Sequence, residues 1–539
     1  MNKFFTQIVE SRGLGEDFLH PKYENLEDPT KLPDMEKAIK RIKTAIKNRE
    51  KVLIYGDYDV DGVTAATLME QALKLAGLEQ IEIMLPDRFV DGYGMSPRLI
   101  ERAKDSKITL VITVDCGSRN HNIINELNQL KIDTIVTDHH ECEDTVPEAV
   151  AVINPHRHDY KGPEPLKSLA GVGVAFKVVQ GLVKEKLIEA GKEKWLLDLV
   201  LLGTICDSMT IDKENRILTY FGKIVLSKTK RRGLIELMKT AGVKTVTSES
   251  IGFQLGPRLN AAGRLDTAEV SLNLLRTTSG TEAAKLAGKL EELNKSRREE
   301  QRAATKEIAA RFKENQEDTP VIIETGNWHE GILGIVAGRL VEEFKKPAFV
   351  LSEVGDGIYK GSGRSFGEFS LADALAFAKD TIEGGGGHAA AAGVQVKQEN
   401  LYKFREKINE YYRSLNLENQ ERFLKKTADL EIETLGNFNL ELIDDLASLE
   451  PFGPGNEEPI FCLKNADIVE TKKMGADENH LRLDLKAKDG RVIKSVAFFA
   501  PKNWFELYDD TPYNFVIKPT LNEWNGTRSV EARLIDIQD

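Results

Sequence analysis

The chain has 539 residues, 41% of them hydrophobic and 30% charged, which predicts three or four globular domains. Its formal net charge of −12 weakens the case for non-specific binding to duplex nucleic acid. No apolar run approaches the ~20 residues of a membrane span, the first residues turn polar too soon for a signal peptide, and four scattered cysteines exclude a disulfide scaffold. We therefore expect a cytoplasmic protein without a membrane segment.

The first part of the chain predicts a helical lead-in over residues 1–48, which Pro21, Pro29 and Pro33 interrupt early on. From about residue 50 to residue 210, strand-like apolar runs alternate with helical stretches. This alternation is the pattern of a mostly parallel sheet in an α/β domain, to which we assign residues 49–275.

An acidic motif opens this domain. Asp57, Asp59 and Asp61 directly follow the apolar run 52–55, which is typical of a buried strand, and a helix-forming stretch comes next. The acids thus cluster at the C-terminal end of a strand, where α/β sheets bind ligands. Three anions in one turn repel each other unless a cation neutralises them, and a divalent metal does so best.

Further metal-binding residue types end other apolar runs in the same domain. They are Asp115, His139, His140 and Asp207. The run before Asp207, residues 199–205, fits a strand or a buried helix equally well. A single Asp in such a place is as often a helix N-cap, but four coincidences favour a metal centre. Carboxylates with imidazole favour a two-metal site that hydrolyses phosphate esters, in which Mn²⁺ suits the mixed ligands better than Mg²⁺ and Zn²⁺ stays open.

Three further units follow along the chain. Residues 280–315 predict one long connecting helix, since they are rich in Ala, Glu, Lys and Arg and contain no proline. A second α/β unit follows over 316–415. Residues 420–539 change to strand character, with hairpin signals at Asp489-Gly490 and Asn525-Gly526, and predict a small β-barrel.

The second α/β unit contains two candidate ligand-binding clusters. Ser362 and Arg364 lie in a glycine-rich segment whose hydroxyls and guanidinium suit a phosphate. His388 follows four glycines, 384–387, which we interpret as a loop that lets the backbone approach a ligand. A lone histidine is more often structural, but the flanking glycines favour function here. For His329, a turn or capping role is as well supported as a substrate contact.

Together these motifs resemble the RecJ-type single-strand-specific exonucleases of the DHH phosphoesterase superfamily, across essentially the whole chain. The matching segments are 56–62, 114–117, 138–140, 169–177, 203–207, 256–264, 361–365, 386–388 and 449–456. The resemblance implies a DHH domain, a long helix and a DHH-associated domain with an active-site cleft between the lobes, followed by an OB-fold. It also implies processive release of 5′-mononucleotides from the 5′ end of single-stranded DNA, in DNA repair and recombination.

The resemblance also implies roles for individual residues. The residues that look like metal ligands are Asp59, Asp61, Asp115, His139 and Asp207, and Asp57 would bind metal or support the ligands. The catalytic group would consist of Asp115, His139 and His140, with His140 near the scissile phosphate. Arg264, Ser362 and Arg364 would hold the terminal 5′ phosphate, with Arg258, Asn260 and His388 lining the cleft. Phe452, Phe498, Phe499 and Trp524 are candidate stacking residues, although core packing suits most of them.

The implied cofactors are two divalent ions, Mn²⁺ before Mg²⁺, and the implied protein partners are single-strand-binding protein and a RecQ-like helicase. Two alternatives stay open. One is a DHH phosphodiesterase for short oligonucleotides, against which the β-rich tail argues. The other is a non-catalytic DNA-binding scaffold, which would have lost ligands, although every ligand position here holds a competent residue.

Overall fold

Three sheets organise the chain in the computed structural model, which describes residues 1–315, 319–475, 478–507, 511–524 and 526–538. Successive sheets belong to a first lobe, a second lobe and a C-terminal barrel. Within the described ranges, no helix is both long and apolar enough to cross a lipid bilayer.

The first sheet is entirely parallel, in the order β2-β1-β3-β4-β5. Its strands are β1 Val52–Tyr55, β2 Ile81–Met84, β3 Leu110–Val114, β4 Asp133–Thr137 and β5 Ala151–Ile153. Alternate residues of β1 and β3 enter separate cores on the two faces, so both strands are buried throughout. Burial on both faces explains why they appear as uninterrupted apolar runs, and the predicted mostly parallel sheet is confirmed.

Thirteen helices lie in the described part of the chain before residue 280. They are α1 Lys3–Ser11, α2 Glu16–Leu19, α3 Met35–Asn48, α4 Val60–Leu75, α5 Pro97–Asp105, α6 His121–Gln129, α7 Gly171–Lys184, α8 Leu197–Cys206, α9 Lys213–Ser227, α10 Arg232–Thr240, α11 Ser248–Ser250, α12 Gly256–Leu265 and α13 Glu269–Arg276. The run 199–205, which the sequence left open, is therefore helical. It is buried on most sides, so its residues show no helical period.

The first 48 residues are largely helical but divide between two cores. Helix α3 packs on α7 in the first lobe. Helix α1 instead inserts Phe4, Phe5 and Ile8 into the core of the C-terminal barrel, where the ring centroids of Phe4 and Phe461 are 6.0 Å apart. The predicted lead-in is thus partly an element of the last domain.

The long helix α14, Gly280–Asn315, confirms the predicted connector between lobes. The second sheet has the order β6-β7-β8-β10-β9, in which only β6 and β7 pair in parallel. Its elements are β6 Ile322–Gly326, α15 Leu333–Phe344, β7 Ala348–Gly355, β8 Ile358–Arg364, α16 Leu371–Phe377, β9 Gly384–Gly387, β10 Ala391–Lys397 and α17 Leu401–Ser414.

The prediction of a loop at residues 384–387 is wrong, because these glycines form strand β9 and pair with β10. A Cβ atom on Gly385 would lie 2.8 Å from the carbonyl oxygen of Gly393. The glycines therefore allow a close approach of the neighbouring strand. The following His388 is exposed, and its N–H donates to the carbonyl of Ala391.

The C-terminal domain contains a closed five-stranded barrel, in which β12 pairs with β13 and β15, and β14 and β16 complete the ring. Its elements are β11 Leu430–Ile432, α18 Leu440–Leu446, β12 Phe461–Met474, β13 His480–Lys486, β14 Val492–Ala497, β15 Tyr513–Trp524 and β16 Thr527–Gln538. The predicted hairpin at Asp489-Gly490 joins β13 to β14. The second predicted turn falls between β15 and β16, although Asn525 and the Trp524 side chain lie outside the described residues.

A buried arginine ties the barrel segment to the first lobe. Arg216, on α9, donates hydrogen bonds to the carbonyls of Phe18, Ser448, Leu449 and Glu450 at 2.8–3.1 Å. Its guanidinium also lies over the ring of Phe18, 4.4 Å from the centroid. One side chain thereby joins three segments that are distant in sequence.

Candidate metal centre

Seven acidic and imidazole groups meet at the carboxyl-terminal edge of the first sheet. They are Asp57 and Asp59 after β1, Asp61 in the first turn of α4, Asp115 after β3, His139 and His140 after β4, and Asp207 at the end of α8. Because β1, β3 and β4 are parallel neighbours, their carboxyl ends share one edge of the sheet. The structure thus brings together all the residues that the sequence predicted as metal-binding or catalytic.

His139 lies at the centre of this cluster. Its Nε2 is 3.1 Å from Oδ1 of Asp115, 3.6 Å from Oδ2 of Asp207 and 3.9 Å from Oδ2 of Asp61. Three sets of potential ligand atoms each converge within 4.8 Å: Asp115, His139 and His140; Asp61, His139 and Asp207; and Asp57, Asp59 and Asp115. The sets overlap at His139 and Asp115, so these two residues connect the whole cluster.

The carboxylates strongly disfavour one another's ionisation. Burial and the charge of Asp59 raise the pKa of Asp61 to about 7, and burial and the charge of Asp61 raise the pKa of Asp207 to about 8. Burial and neighbouring aspartates also raise the pKa values of Asp57 and Asp115 well above their usual range. A cation bound among these carboxylates would offset their repulsion and stabilise the ionised forms.

Two buried oxygens support the same conclusion. Among the described residues, Asp57 Oδ1 and Asp115 Oδ1 accept no hydrogen bond, although Asp115 Oδ1 lies 3.1 Å from Nε2 of His139. Buried carboxylate oxygens without partners are rare, and a bound divalent cation would satisfy them. The donor set of carboxylates and imidazoles therefore fits a divalent metal site.

The two histidines have opposite electrostatic environments. Burial and the nearby charge of His140 lower the pKa of His139 to about 4, which favours the neutral form that binds metals. Burial also opposes the charged form of His140, but its contact with Asp138, 2.8 Å between Nδ1 and Oδ1, outweighs this effect and raises the pKa to about 9. Asp138 is itself fixed by the N–H of Ser118, and Tyr93 Oη lies 2.9 Å from the same Nδ1.

The backbone around the cluster is closely fitted to the carboxylates. Asp61 accepts the N–H groups of Gly171 and Val172 at 2.6 and 2.9 Å, at the first turn of α7. A Cβ atom on Gly171 would lie 2.6 Å from Cβ of Asp115, and one on Gly203 would lie 2.5 Å from Oδ1 of Asp61. Asp115 has a left-handed backbone with φ of 62°, which is uncommon outside glycine and is found at functional sites.

Four arginines beside the cluster form no salt bridge within the described residues: Arg88, Arg264, Arg297 and Arg364. Burial lowers the pKa of Arg264 to about 10, and the charges of Arg88, Arg297 and Arg364 contribute to this shift. Arg88 lies over the ring of Tyr58, 5.0 Å from its centroid. In a chain of net charge −12, grouped arginines without carboxylates indicate a binding site for phosphate groups.

The remaining predicted substrate residues occupy different environments. Asn260 Oδ1 accepts the N–H of Val60 at 3.2 Å and so holds the start of α4. Arg258 donates to Glu291 at 2.5 Å and to the carbonyl of Gln254, so it joins α12 to α14. Ser362 lies on β8, two residues before Arg364, and the two therefore share one face of the strand. The exposed His388 lies on the second lobe.

His329 illustrates the alternative that the sequence left open. Its Nδ1 accepts the N–H of Gly331 at 3.1 Å, which is a capping role, while its ring packs edge-on against Phe89 with centroids 5.2 Å apart. A Cβ atom on Gly331 would overlap the carbonyl of Arg264. This turn therefore lies directly on the first lobe, beside Arg264.

Sequence reasoning missed four residues of this site: Arg88, Tyr93, Asp138 and Arg297. Asp138 precedes His139 directly, and a carboxylate next to a histidine pair could have been singled out as its hydrogen-bond partner. Arg88 follows β2, a short half-buried strand whose pattern is weak. Arg297 lies among many charged residues of α14, where the sequence gives no signal.

A cavity of about 1170 Å³ extends from this region to the barrel. Its walls come from the end of α8, α12 and α14 on the lobe side and from β15 and β16 on the barrel side. Six basic side chains line the cavity, namely Lys223, Arg264, Arg297, Lys426, Lys518 and Arg533, and four glutamates line it as well. Three of these glutamates pair with Lys223, Lys518 and Arg533. The cavity reaches the neighbourhood of the metal cluster at Cys206 and Ser208, on either side of Asp207.

Comparisons with known proteins agree with this architecture. Residues 51–204 match the N-terminal domain of the DHH family, residues 318–414 match the DHHA1 domain, and residues 428–536 match the RecJ OB domain. The single-stranded-DNA-specific exonuclease RecJ of Escherichia coli (strain K12) is 32% identical over 94% of this chain and 90% of that protein. The RecJ of Bacillus subtilis (strain 168) is 34% identical over 96% of this chain, which spans 65% of that protein.

Solved structures give the same result. The crystal structure of RecJ in complex with Mn²⁺ from Thermus thermophilus superposes with a TM-score of 0.85 at 26% identity, covering 100% of this chain and 76% of that one. A crystal structure of exonuclease RecJ bound to manganese has a TM-score of 0.62 at 28% identity, over 72% of this chain and 97% of that one. The fold and the order of domains are therefore shared along the whole chain.

Proposed function

The chain belongs to the RecJ family of single-stranded-DNA-specific exonucleases, and on this premise we propose that it hydrolyses single-stranded DNA from the 5′ end and releases 5′-mononucleotides. The observation that supports this most directly is the juxtaposition of a buried carboxylate–imidazole cluster with arginines that form no salt bridge within the described residues. The carboxylate–imidazole cluster would hold metal, and the arginines would hold phosphate. Repair and recombination of DNA are the processes in which such an activity would serve.

We propose two divalent cations as cofactors, Mn²⁺ before Mg²⁺. Asp115 and His139 each belong to two of the three overlapping sets of ligand atoms, as expected of ligands that lie between two adjacent ions. When bound, such ions would activate a water molecule and stabilise the developing charge on the phosphate oxygens. Asp57, Asp59, Asp61, Asp115, His139 and Asp207 would hold them.

The protein's own groups would position the scissile phosphate. In the site without metal, the contact with Asp138 raises the pKa of His140 to about 9, which favours the charged imidazole that can donate a hydrogen bond to a phosphate oxygen. The Asp138 contact at Nδ1 leaves Nε2 of the same ring as the donor toward substrate. Burial of the cluster excludes bulk water and strengthens these electrostatic contacts.

The 5′ phosphate would be held between the lobes. Arg264 comes from the first lobe, whereas Ser362 and Arg364 come from β8 of the second, and Arg88 approaches from the loop after β2. Three guanidiniums and a hydroxyl suit a dianionic terminal phosphate better than an internal monoanionic phosphodiester. This arrangement supports recognition of a phosphorylated strand end, which is the 5′ end in the mode of cleavage that the family resemblance implies.

End-labelled strands test the function and its polarity. We expect 5′-labelled single strands to release labelled mononucleotide at once with Mn²⁺, more slowly with Mg²⁺ and not at all with a chelator, while 3′-labelled strands shorten gradually. Release that starts at the 3′ end would contradict the assignment. The Arg364→Ala variant should lose its preference for a 5′-phosphate over a 5′-hydroxyl end, with Arg413→Ala, an exposed arginine on α17, as the control.

Single-strand-binding protein and a RecQ-like helicase stay our proposals for partners, and co-purification with each would test them. For the location we propose the cytoplasm. All four cysteines, Cys116, Cys142, Cys206 and Cys462, are free thiols, which fits a reducing compartment.

A further inference from the structure

Phe253 presents an aromatic ring to the wall of the large cavity. Its side chain is 78% exposed, and it lines the cavity together with Cys206, which precedes Asp207, and with Lys518 and Arg533 of the barrel. We propose that Phe253 is a substrate-positioning residue that stacks on an unpaired base of the bound strand, within the first few nucleotides of the cleavage site. This inference rests on the proposed function and adds a contact that distinguishes single strands from duplexes.

The direction of the ring follows from the local helix. Residues Ile251–Leu255 form a π-helical turn that leads into α12. Ile251 and Leu255 are 1% and 0% exposed, so they anchor one side of the turn in the first-lobe core. Phe253 lies midway between them in sequence and therefore points to the opposite side. π-Helical turns of this kind occur frequently at functional sites.

The turn is fixed in place relative to the metal centre. A Cβ atom on Gly256 would lie 2.5 Å from Sγ of Cys206, so α12 begins in direct contact with the residue that precedes Asp207. Phe253 is three residues earlier, within the helical turn that leads directly into this contact. A base on this ring would therefore belong to a nucleotide close to the scissile bond.

The turn is also anchored on its other side. Thr247 and Ser250 form a capping box just before it, and Ser248 donates hydrogen bonds from its N–H and hydroxyl to Glu450, both at 3.1 Å. Glu450 belongs to the segment that leads into the barrel. Because both ends are held, the Phe253 ring has a defined position at the cavity wall.

The surroundings of Phe253 fit a nucleotide. Within the described residues the ring makes no aromatic or cation–π contact, so it supports no other side chain by stacking. Arg264 and Arg297 line the same cavity, and the buried Nε of Arg297 has no hydrogen-bond partner in the part of the chain that the structure describes. Arginines that meet backbone phosphates beside an aromatic ring that meets a base are the usual elements of a single-strand site. In a duplex both faces of each base are already stacked, so the ring would be left without a partner.

Binding of a fluorescent 20-nucleotide strand tests the proposal in the full chain. Loss of one stacking contact lowers affinity between about fivefold and about a hundredfold. We expect this loss for Phe253→Ala and near-normal affinity for Phe253→Trp, which keeps an aromatic face. The matched control is Tyr402→Ala, which removes a ring that is 72% exposed on α17 of the second lobe. Equal affinity for Phe253→Ala and wild type, or an equal loss for Tyr402→Ala, would overturn the inference.

A strand with one abasic site gives a sharper test. The site is moved one nucleotide at a time from the 5′ end, and affinity is measured for wild type and for Phe253→Ala. At one position, the abasic site should weaken binding to wild type but should not weaken binding to Phe253→Ala any further. The missing base and the missing ring remove the same contact, so their effects do not add. Equal losses in both proteins at every position would exclude the stacking contact. If wild type fails to release 5′ nucleotides from an intact strand, the proposed function fails instead.

Discussion

Substituting Gly171 with Ala would test whether the position of Asp115 controls activity. The new Cβ atom would lie 2.6 Å from Cβ and 2.7 Å from Cγ of Asp115. Ordinary contact begins at 3.4 Å, so the carboxylate would have to move by about 1 Å. A displacement of this size at a catalytic centre costs about 100-fold in turnover. The N–H of residue 171, which bonds to Asp61, is retained in the variant.

The assay is release of nucleotides from a 5′-labelled strand across a Mn²⁺ titration. We expect turnover to fall about 100-fold, with weaker metal binding. The melting temperature should fall as well, because Gly171 is the first residue of α7 and gains little helix propensity to offset the strain against buried Asp115. The folded state should persist, so that activity can be compared at equal concentrations of folded protein.

Gly288→Ala is the matched control, since no atom of the described residues lies within 4 Å of the added Cβ atom on α14. It should keep full activity and gain slightly in stability. If Gly171→Ala showed wild-type turnover and wild-type metal affinity, the close fit of α7 against Asp115 would have no role in catalysis. Unfolding of Gly171→Ala would show instead that the contact is needed for the fold.

Three further outcomes are expected. Asparagine tolerates the left-handed backbone at position 115, so Asp115→Asn should fold normally. It should lower turnover at least about 1000-fold in the gel assay while strand binding persists. Wild-type turnover would favour a non-catalytic DNA-binding scaffold. In metal-free protein, the raised pKa values of Asp61, about 7, and Asp207, about 8, mean that the folded state binds more protons than the unfolded state between about pH 4 and pH 8. Stability should therefore fall as the pH rises through this window, and calorimetry should show a larger gain from Mn²⁺ at pH 8 than at pH 6; the reverse order would contradict the charge argument. Arg216→Lys removes the guanidinium that donates hydrogen bonds to four backbone carbonyls. It should therefore lower the free energy of unfolding by about 3 kcal/mol in urea titrations, whereas Arg339→Lys should leave this free energy unchanged.

The metal cluster could be predicted from the sequence because the positions of its ligands follow a simple rule. Each follows an apolar run, and parallel strands bring their carboxyl ends to one edge. Asp57, Asp59, Asp115 and His139 were placed in this way, and the resemblance of motif order supplied the arrangement of domains. The long helix α14 was equally predictable, since its composition favours one state over its whole length.

Other features depend on contacts that no local pattern records. Residues 384–387 form a strand only because β10 provides a partner at close range. Arg88 and Arg297 become part of the site through tertiary packing, although neither belongs to a motif. Phe253 appears in the sequence as an ordinary apolar residue, and only the burial of its neighbours shows that it faces the cavity.

The insertion of α1 into the barrel sets an order for biosynthesis. Asn2 and Asp445, whose backbone N–H and carboxylate bond at 2.6 Å, are 443 residues apart along the chain. At a translation rate of about 5–20 residues per second, about 20 seconds to a minute and a half passes between the synthesis of the two. During that interval Phe4, Phe5 and Ile8 have no native surface to cover them. The nascent helix therefore waits, exposed or shielded by a chaperone, until nearly the whole polypeptide has left the ribosome.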